Sequence, residues 1–126
     1  MSMQAKDAQV LQHIMVYCHE ISCTVQELQI TEATLSDSFI QRNALSMPLM
    51  QIGELVKRLS DAFVQAHAGI PWRSIAGIRN RFAHEYGHMN VKSIWGTVVS
   101  DIPTLNQYIA KVLRDNGIDV PSESDL

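Results

Sequence analysis

Eight consecutive residues, Arg79-Asn80-Arg81-Phe82-Ala83-His84-Glu85-Tyr86, crowd guanidinium, imidazole and phenol groups into little more than two helical turns. A guanidinium stays charged at every ordinary pH and offers phosphate a planar fork of donors. Imidazole titrates nearest neutrality of all side chains, so it can give or take a proton there. A phenol, with an unperturbed pKa of about 10, is a poor acid or base at neutral pH and is better suited to contacting a nucleotide or being modified. Together these groups are equipment for handling phosphodiesters.

On an ideal helix, Ile75, Ile78 and Phe82 form an apolar stripe that Tyr86 extends, while Arg73, Gly77, Asn80, His84 and His88 gather on the opposite face. Asn80 and His84 share that face, so the amide can orient the imidazole. Arg79 falls about 140° from His84, nearer the core edge, and the two cannot simply point side by side. A curled stem, a deformed helix end or a subunit interface has to bring them together. Arg81, Arg73 and His88 are further candidates for binding phosphate or RNA. His84 and His88 have a spacing that can chelate zinc, but no obvious third ligand accompanies them, and no metal or cofactor is expected. Gly77 inside the helix suggests close approach by another backbone or a ligand.

The elements that must position these groups are helical nearly throughout. Val10, Leu11, Ile14, Cys18, Ile21, Val25 and Leu28 recur at three- and four-residue steps, predicting a first helix over about 5–29. A second is expected from Ser36 or Asp37 to about 66, kinked or broken near 44–48 by Pro48. Gly69-Ile70-Pro71 turns the chain into a third helix over about 71–86, which Gly87 stops. Asn90 caps a fourth, and Asp101-Ile102-Pro103 either kinks it or recaps a fifth through Leu105, Ile109 and Val112. Residues 1–115 form a single domain, and the polar 116–126 read as a loose tail. Short connections between amphipathic helices imply an all-α, up-and-down bundle of four to five helices.

Bulk properties narrow the class. The chain has 126 residues, 46% hydrophobic and 18% charged, the balance of one ordinary globular domain. No apolar run follows a basic start, and none approaches the roughly 20 residues that span a bilayer. Cys18 and Cys23 fit neither a redox pair nor a zinc knuckle and read as reduced thiols, which makes the cytoplasm the simplest compartment. Net charge is −3, yet Lys57–Lys92 holds six basic residues against two acidic ones. Such a local positive region can attract phosphate within an acidic protein.

Ile70-Pro71-Trp72-Arg73-Ser74-Ile75-Ala76-Gly77-Ile78, running on into the octet, resembles the signature of the HepT-like branch of the HEPN superfamily. Met50-Gln51-Ile52-Gly53-Glu54-Leu55-Val56-Lys57-Arg58-Leu59-Ser60, Ile94-Trp95 and Asp101-Ile102-Pro103 support the resemblance, which spans about residues 5 to 114. It implies a dimeric helical bundle and a metal-independent endoribonuclease toxin of a type VII-like toxin–antitoxin pair, with Arg79 and His84 as the catalytic pair and Asn80 supporting them. It also implies that a cognate MntA-like nucleotidyltransferase antitoxin transfers AMP to Tyr86 to silence the toxin. The alternative is a non-catalytic subunit that binds nucleotide or presents substrate to a nucleotidyltransferase.

Overall fold

Residues 3–85 and 90–121 are described by the computed structural model, the side chains of 83–85 excepted. The apolar repeat read in the N-terminal segment becomes the buried edge of α1, Ala5–Glu27, where Leu11, Ile14, Cys18 and Ile21 face the core. The chain leaves α1 through Gln29, which takes a φ of 51°, a left-handed stop in a position more often given to glycine. A short α2, Glu32–Asp37, opens with a reciprocal cap between Thr31 and Thr34. Ser38 then caps α3, Phe39–Val56, by accepting from the Gln41 amide.

The remaining described elements are α4 (Asp61–Ala66), α5 (Trp72–Ala76), α6 (Ile78–Glu85), α7 (Val91–Gly96), a π-helical turn over Thr97–Asp101, and α8 (Ile102–Asp115). Among the described residues the architecture is all-α, as the periodicity implied. α1 packs against both α3 and α8, and α3 also packs against α5 and α6. No helix among the described residues is long and apolar enough to cross a membrane.

Three boundaries differ from expectation. Of the kink or break expected at Pro48, the break is absent: α3 runs through it, with the ring buried. One backbone hydrogen bond is forgone there, and apolar burial offsets the loss. The expected second helix is instead interrupted at 57–60. There Ser60 caps α4 through a bond accepted from the Phe63 amide, and it is held by Asp7 of α1. The Asp7 carboxylate, 2% exposed, accepts from the Ser60 amide at 2.8 Å and its hydroxyl at 2.6 Å. A buried carboxylate is tolerable only when its oxygens are bonded in this way. Asp7→Ala is therefore expected to lower unfolding stability by about 3 kcal/mol, read by urea denaturation, because it leaves the α4 start unpaired.

The third difference is a one-residue break at Gly77, which separates α5 from α6. The backbone there stays close to helical, at φ −69° and ψ −14°. Pro71 stands one place before α5, and Asn90 caps α7 as expected by accepting from the Lys92 amide at 2.8 Å. The choice at Asp101-Ile102-Pro103 is resolved by the π turn. The Ile102 amide reaches back five residues to Thr97, and this wider turn accommodates Pro103, which has no amide hydrogen to donate.

The tail is packed at its start. Gly117, at φ 67°, stops α8, and the Ile118 amide bonds the Leu113 carbonyl at 2.9 Å. Ile118 and Val120 lie against the core, and Gln12 donates to the Asp119 carbonyl at 2.9 Å. Residues 122–126 lie outside the described residues.

Candidate active site

The Ile70-Pro71-Trp72 sequence works as an anchor for the helices that carry the octet. Trp72 is buried, its indole N–H donating to the His67 carbonyl at 2.8 Å. Its ring meets Phe63 edge-on with centroids 5.6 Å apart, and His67 Nδ1 pairs with the Tyr108 hydroxyl at 2.7 Å. Such aromatic contacts, with their polar tips satisfied, fix the start of α5 against α4 and α8. Ile75, Ile78 and Phe82 then bury the expected stripe.

Gly53 sets how closely α6 lies on α3. A Cβ at this position would stand 3.1 Å from the Arg79 amide nitrogen and 3.3 Å from the Ala76 carbonyl oxygen. The close backbone approach looked for at Gly77 is thus found at Gly53. At Gly77 a Cβ would meet only the Ser74 and Arg73 carbonyls of its own preceding turn, at 3.3 and 3.5 Å.

The next residue on α3 completes the arrangement. Glu54 Oε1 lies 3.2 Å from Arg79 Nε and 3.5 Å from Lys57 Nζ, so one carboxylate holds two cations of the basic region. Arg79 is held along its stem by the helix contact and at Nε by Glu54, with its side chain still 43% exposed. Its Nη1 also donates to the Asn80 side-chain oxygen, at 3.4 Å. Asn80 thus supports the arginine through its side-chain oxygen.

Arg73 and Arg81 are exposed on α5 and α6, and Arg81 lines a shallow cavity with Thr97 and Asp101 of the π turn. His84 belongs to the last turn of α6, but its side chain lies outside the described residues, as do Tyr86 and His88. His84-Glu85-Tyr86-Gly87-His88 also spells an H-E-x-x-H zinc pattern, with Glu85 in the glutamate place. Those side chains too lie outside the described residues, and the remaining described residues contain no metal-binding cluster.

Burial pushes the Cys18 thiol up to about 12, while Cys23 is partly exposed with His19 Nε2 at 3.3 Å. A thiol with so high a pKa is inert, which suits a core role. Sequence reasoning did not single out Glu54 as a site residue. Its signal is an acidic side chain beside a helical glycine, which gains meaning only once α6 is known to lie there.

Comparison with known proteins agrees with this architecture. The profile of the HepT-like family, described as Ribonuclease HepT-like, matches residues 13–112. A protein of Caldanaerobacter subterraneus subsp. tengcongensis named "Putative RNase" is 34% identical over 104 residues, covering 82% of this chain and 91% of its own. A "Putative RNase" of Methanocaldococcus jannaschii is 27% identical over 70% of this chain and 76% of its own. A "Probable ribonuclease HepT" of Thermococcus cleftensis is 38% identical over 50% of this chain and 57% of its own. No solved structure gives a significant match. With a family match over most of its length, the chain belongs to the HepT-like ribonuclease family.

Proposed function

We propose that this protein is a metal-independent endoribonuclease that works as the toxin of a type VII-like toxin–antitoxin pair in the cytoplasm. The observation that carries the reading is Arg79, fixed at Nε by Glu54 at 3.2 Å and borne on the same helix as His84. A guanidinium held this way keeps outer N–H groups for a phosphate and needs no reorganisation when charge develops on it.

The reaction is attack of a ribose 2′-hydroxyl on the adjacent 3′-phosphate. The 2′-O–P bond forms, the bond from phosphorus to the 5′-oxygen breaks, and the products are a 2′,3′-cyclic phosphate and a free 5′-hydroxyl. A base takes the 2′ proton, an acid supplies one to the leaving oxygen, and a cation stabilises the phosphorane. One chain offers a single histidine in the octet. In a two-fold dimer, His84 and its symmetry mate serve as base and acid, and Arg79 of each chain holds the phosphate. Asn80 supports Arg79, while Arg73, Arg81 and His88 contribute to RNA binding.

Tyr86 is the position that a nucleotidyltransferase antitoxin modifies with AMP. The added phosphate and bulk would repel RNA at the phosphate site. The test is cleavage of a mixed RNA by the purified protein. His84→Ala is expected to abolish cleavage with an unchanged melting temperature, and activity surviving in that variant refutes the assignment. Glu54→Gln isolates the role of the clamp. It should slow cleavage about tenfold through misplacement of Arg79, and change stability by less than about 1 kcal/mol, since the pair is half exposed. Single-turnover rates and thermal melts measure the two effects.

A further inference from the structure

Arg81, which the catalytic scheme uses only as a general phosphate contact, lies at the edge of a cavity of about 140 Å³ between α5–α6 and the start of α8. Its floor is apolar, formed by Ile75, Ile78, Ile102 and Leu105, all buried. The polar residues that line it include Arg81, Asp101 and Thr97, whose hydroxyl donates to the Ser93 carbonyl at 3.1 Å. Thr97 and Asp101 are the two ends of the π turn, a deformation that re-aims side chains and often accompanies function. An apolar slot with a few convergent polar groups is the usual form of a small-ligand site. Here it combines an apolar floor with a cationic and an acidic side chain.

We propose that this cavity reads one guanine of the RNA strand beside the cleavage site, an inference that rests on the ribonuclease reading above. The base face lies on the isoleucine floor, Arg81 holds its phosphate, and Asp101 takes its Watson–Crick edge. Guanine alone among the four bases presents two adjacent donors, N1–H and N2–H, which match the two oxygens of a carboxylate. Adenine and cytosine place a ring acceptor beside their amino group, and uracil flanks its single donor with two carbonyls, so each meets a carboxylate with at least one repulsive contact. Such readout requires an unpaired base, the form in which RNA is usually recognised by sequence.

Two features favour a strand over a free nucleotide. A second, smaller depression shares Ile78, Arg81 and Thr97 with the cavity and extends the concave surface toward Ser93. Arg81 also stands on α6, the helix that carries Arg79 and His84, so the slot and the proposed chemistry share one element.

The test uses 2′-O-methyl trinucleotides, which cannot be cleaved by 2′-hydroxyl attack, so that binding is read apart from catalysis. By titration calorimetry the A-G-A trinucleotide is expected to bind about tenfold more tightly than A-A-A, the size of one good bidentate base contact. Asp101→Asn should erase that ratio at an unchanged melting temperature, and Thr104→Trp, which fills the cavity from its exposed edge, should weaken both ligands. Equal affinities, or a guanine preference that survives Asp101→Asn or the filled cavity, overturns the proposal. Guanosine monophosphate that binds the cavity but is not displaced by A-G-A assigns the site to a free nucleotide and overturns it as well. Should the protein cut no RNA in a separate assay, the ribonuclease reading falls while the trinucleotide result still decides what the cavity binds.

Discussion

Arg79→Ala is expected to lower the single-turnover rate of RNA cleavage about a thousandfold, the scale seen when a fixed donor to a developing oxyanion is removed. The same change should move unfolding free energy by less than about 1 kcal/mol, because the guanidinium is half exposed and its ion pair with Glu54 is solvent-screened. This separation of activity from stability distinguishes a catalytic arginine from a structural one. Arg79→Lys keeps the charge but loses the fork that lets one group meet both Glu54 and a phosphate, so it should recover only a small part of the rate. Cleavage kinetics and urea melts on the three proteins read both quantities. A rate loss below tenfold for Arg79→Ala would remove this residue from the chemistry.

The second large effect is expected at a residue that cannot touch RNA chemically. In Gly53→Val the first added carbon already lies 3.1 Å from a backbone nitrogen and 3.3 Å from a backbone oxygen, neither of which can swing aside. α6 must move off α3, at a cost of about 1–3 kcal/mol of overpacking. The movement carries Arg79 away from Glu54, and misplacement on that scale should cost about a hundredfold in cleavage. Gly96, at the end of α7, is the control, since a Cβ there meets nothing within 4 Å. Gly96→Ala should leave the melting temperature unchanged or raise it, by removing conformational freedom from the unfolded chain. If Gly53→Val retains both stability and activity, the close approach does not set the position of Arg79.

The sequence carried the parts of this fold that local periodicity writes. Val10, Leu11, Ile14, Cys18 and Ile21 announced α1, and Leu105, Ile109 and Val112 announced α8, because each stripe recurs with the helical repeat. The breaks were hidden because tertiary contacts make them. Lys57 and Arg58 are good helix formers, and α3 ends near them because Asp7, 53 residues away, captures Ser60 as the cap of a new helix. Pro48 carried the opposite message, since burial of its ring outweighs the bond it removes. The π turn answers Pro103, yet no residue pattern distinguishes it from a kink.

At the site, the helical wheel placed Arg79 near the core edge, where the structure finds it against α3. It could not supply Glu54 or identify Gly53 as the point of approach, because both meanings arise only when α6 is laid across α3. The contact of Arg79 with Asn80 was likewise invisible, since neighbouring residues on a helix do not face one another and the contact needs the arginine to curl back.

The most direct test of the central claim is the chemistry of the cut end. The protein is incubated with a short RNA in excess EDTA, alongside the same RNA carrying a single 2′-deoxy sugar at the cleavage position, and the products are weighed by mass spectrometry. Cleavage by Arg79 and His84 predicts a 2′,3′-cyclic phosphate and a 5′-hydroxyl from the first RNA, and an intact deoxy position in the second. Activity that EDTA abolishes and zinc restores, or a cut at the deoxy position, would contradict it and turn attention to His84 and His88 as metal ligands.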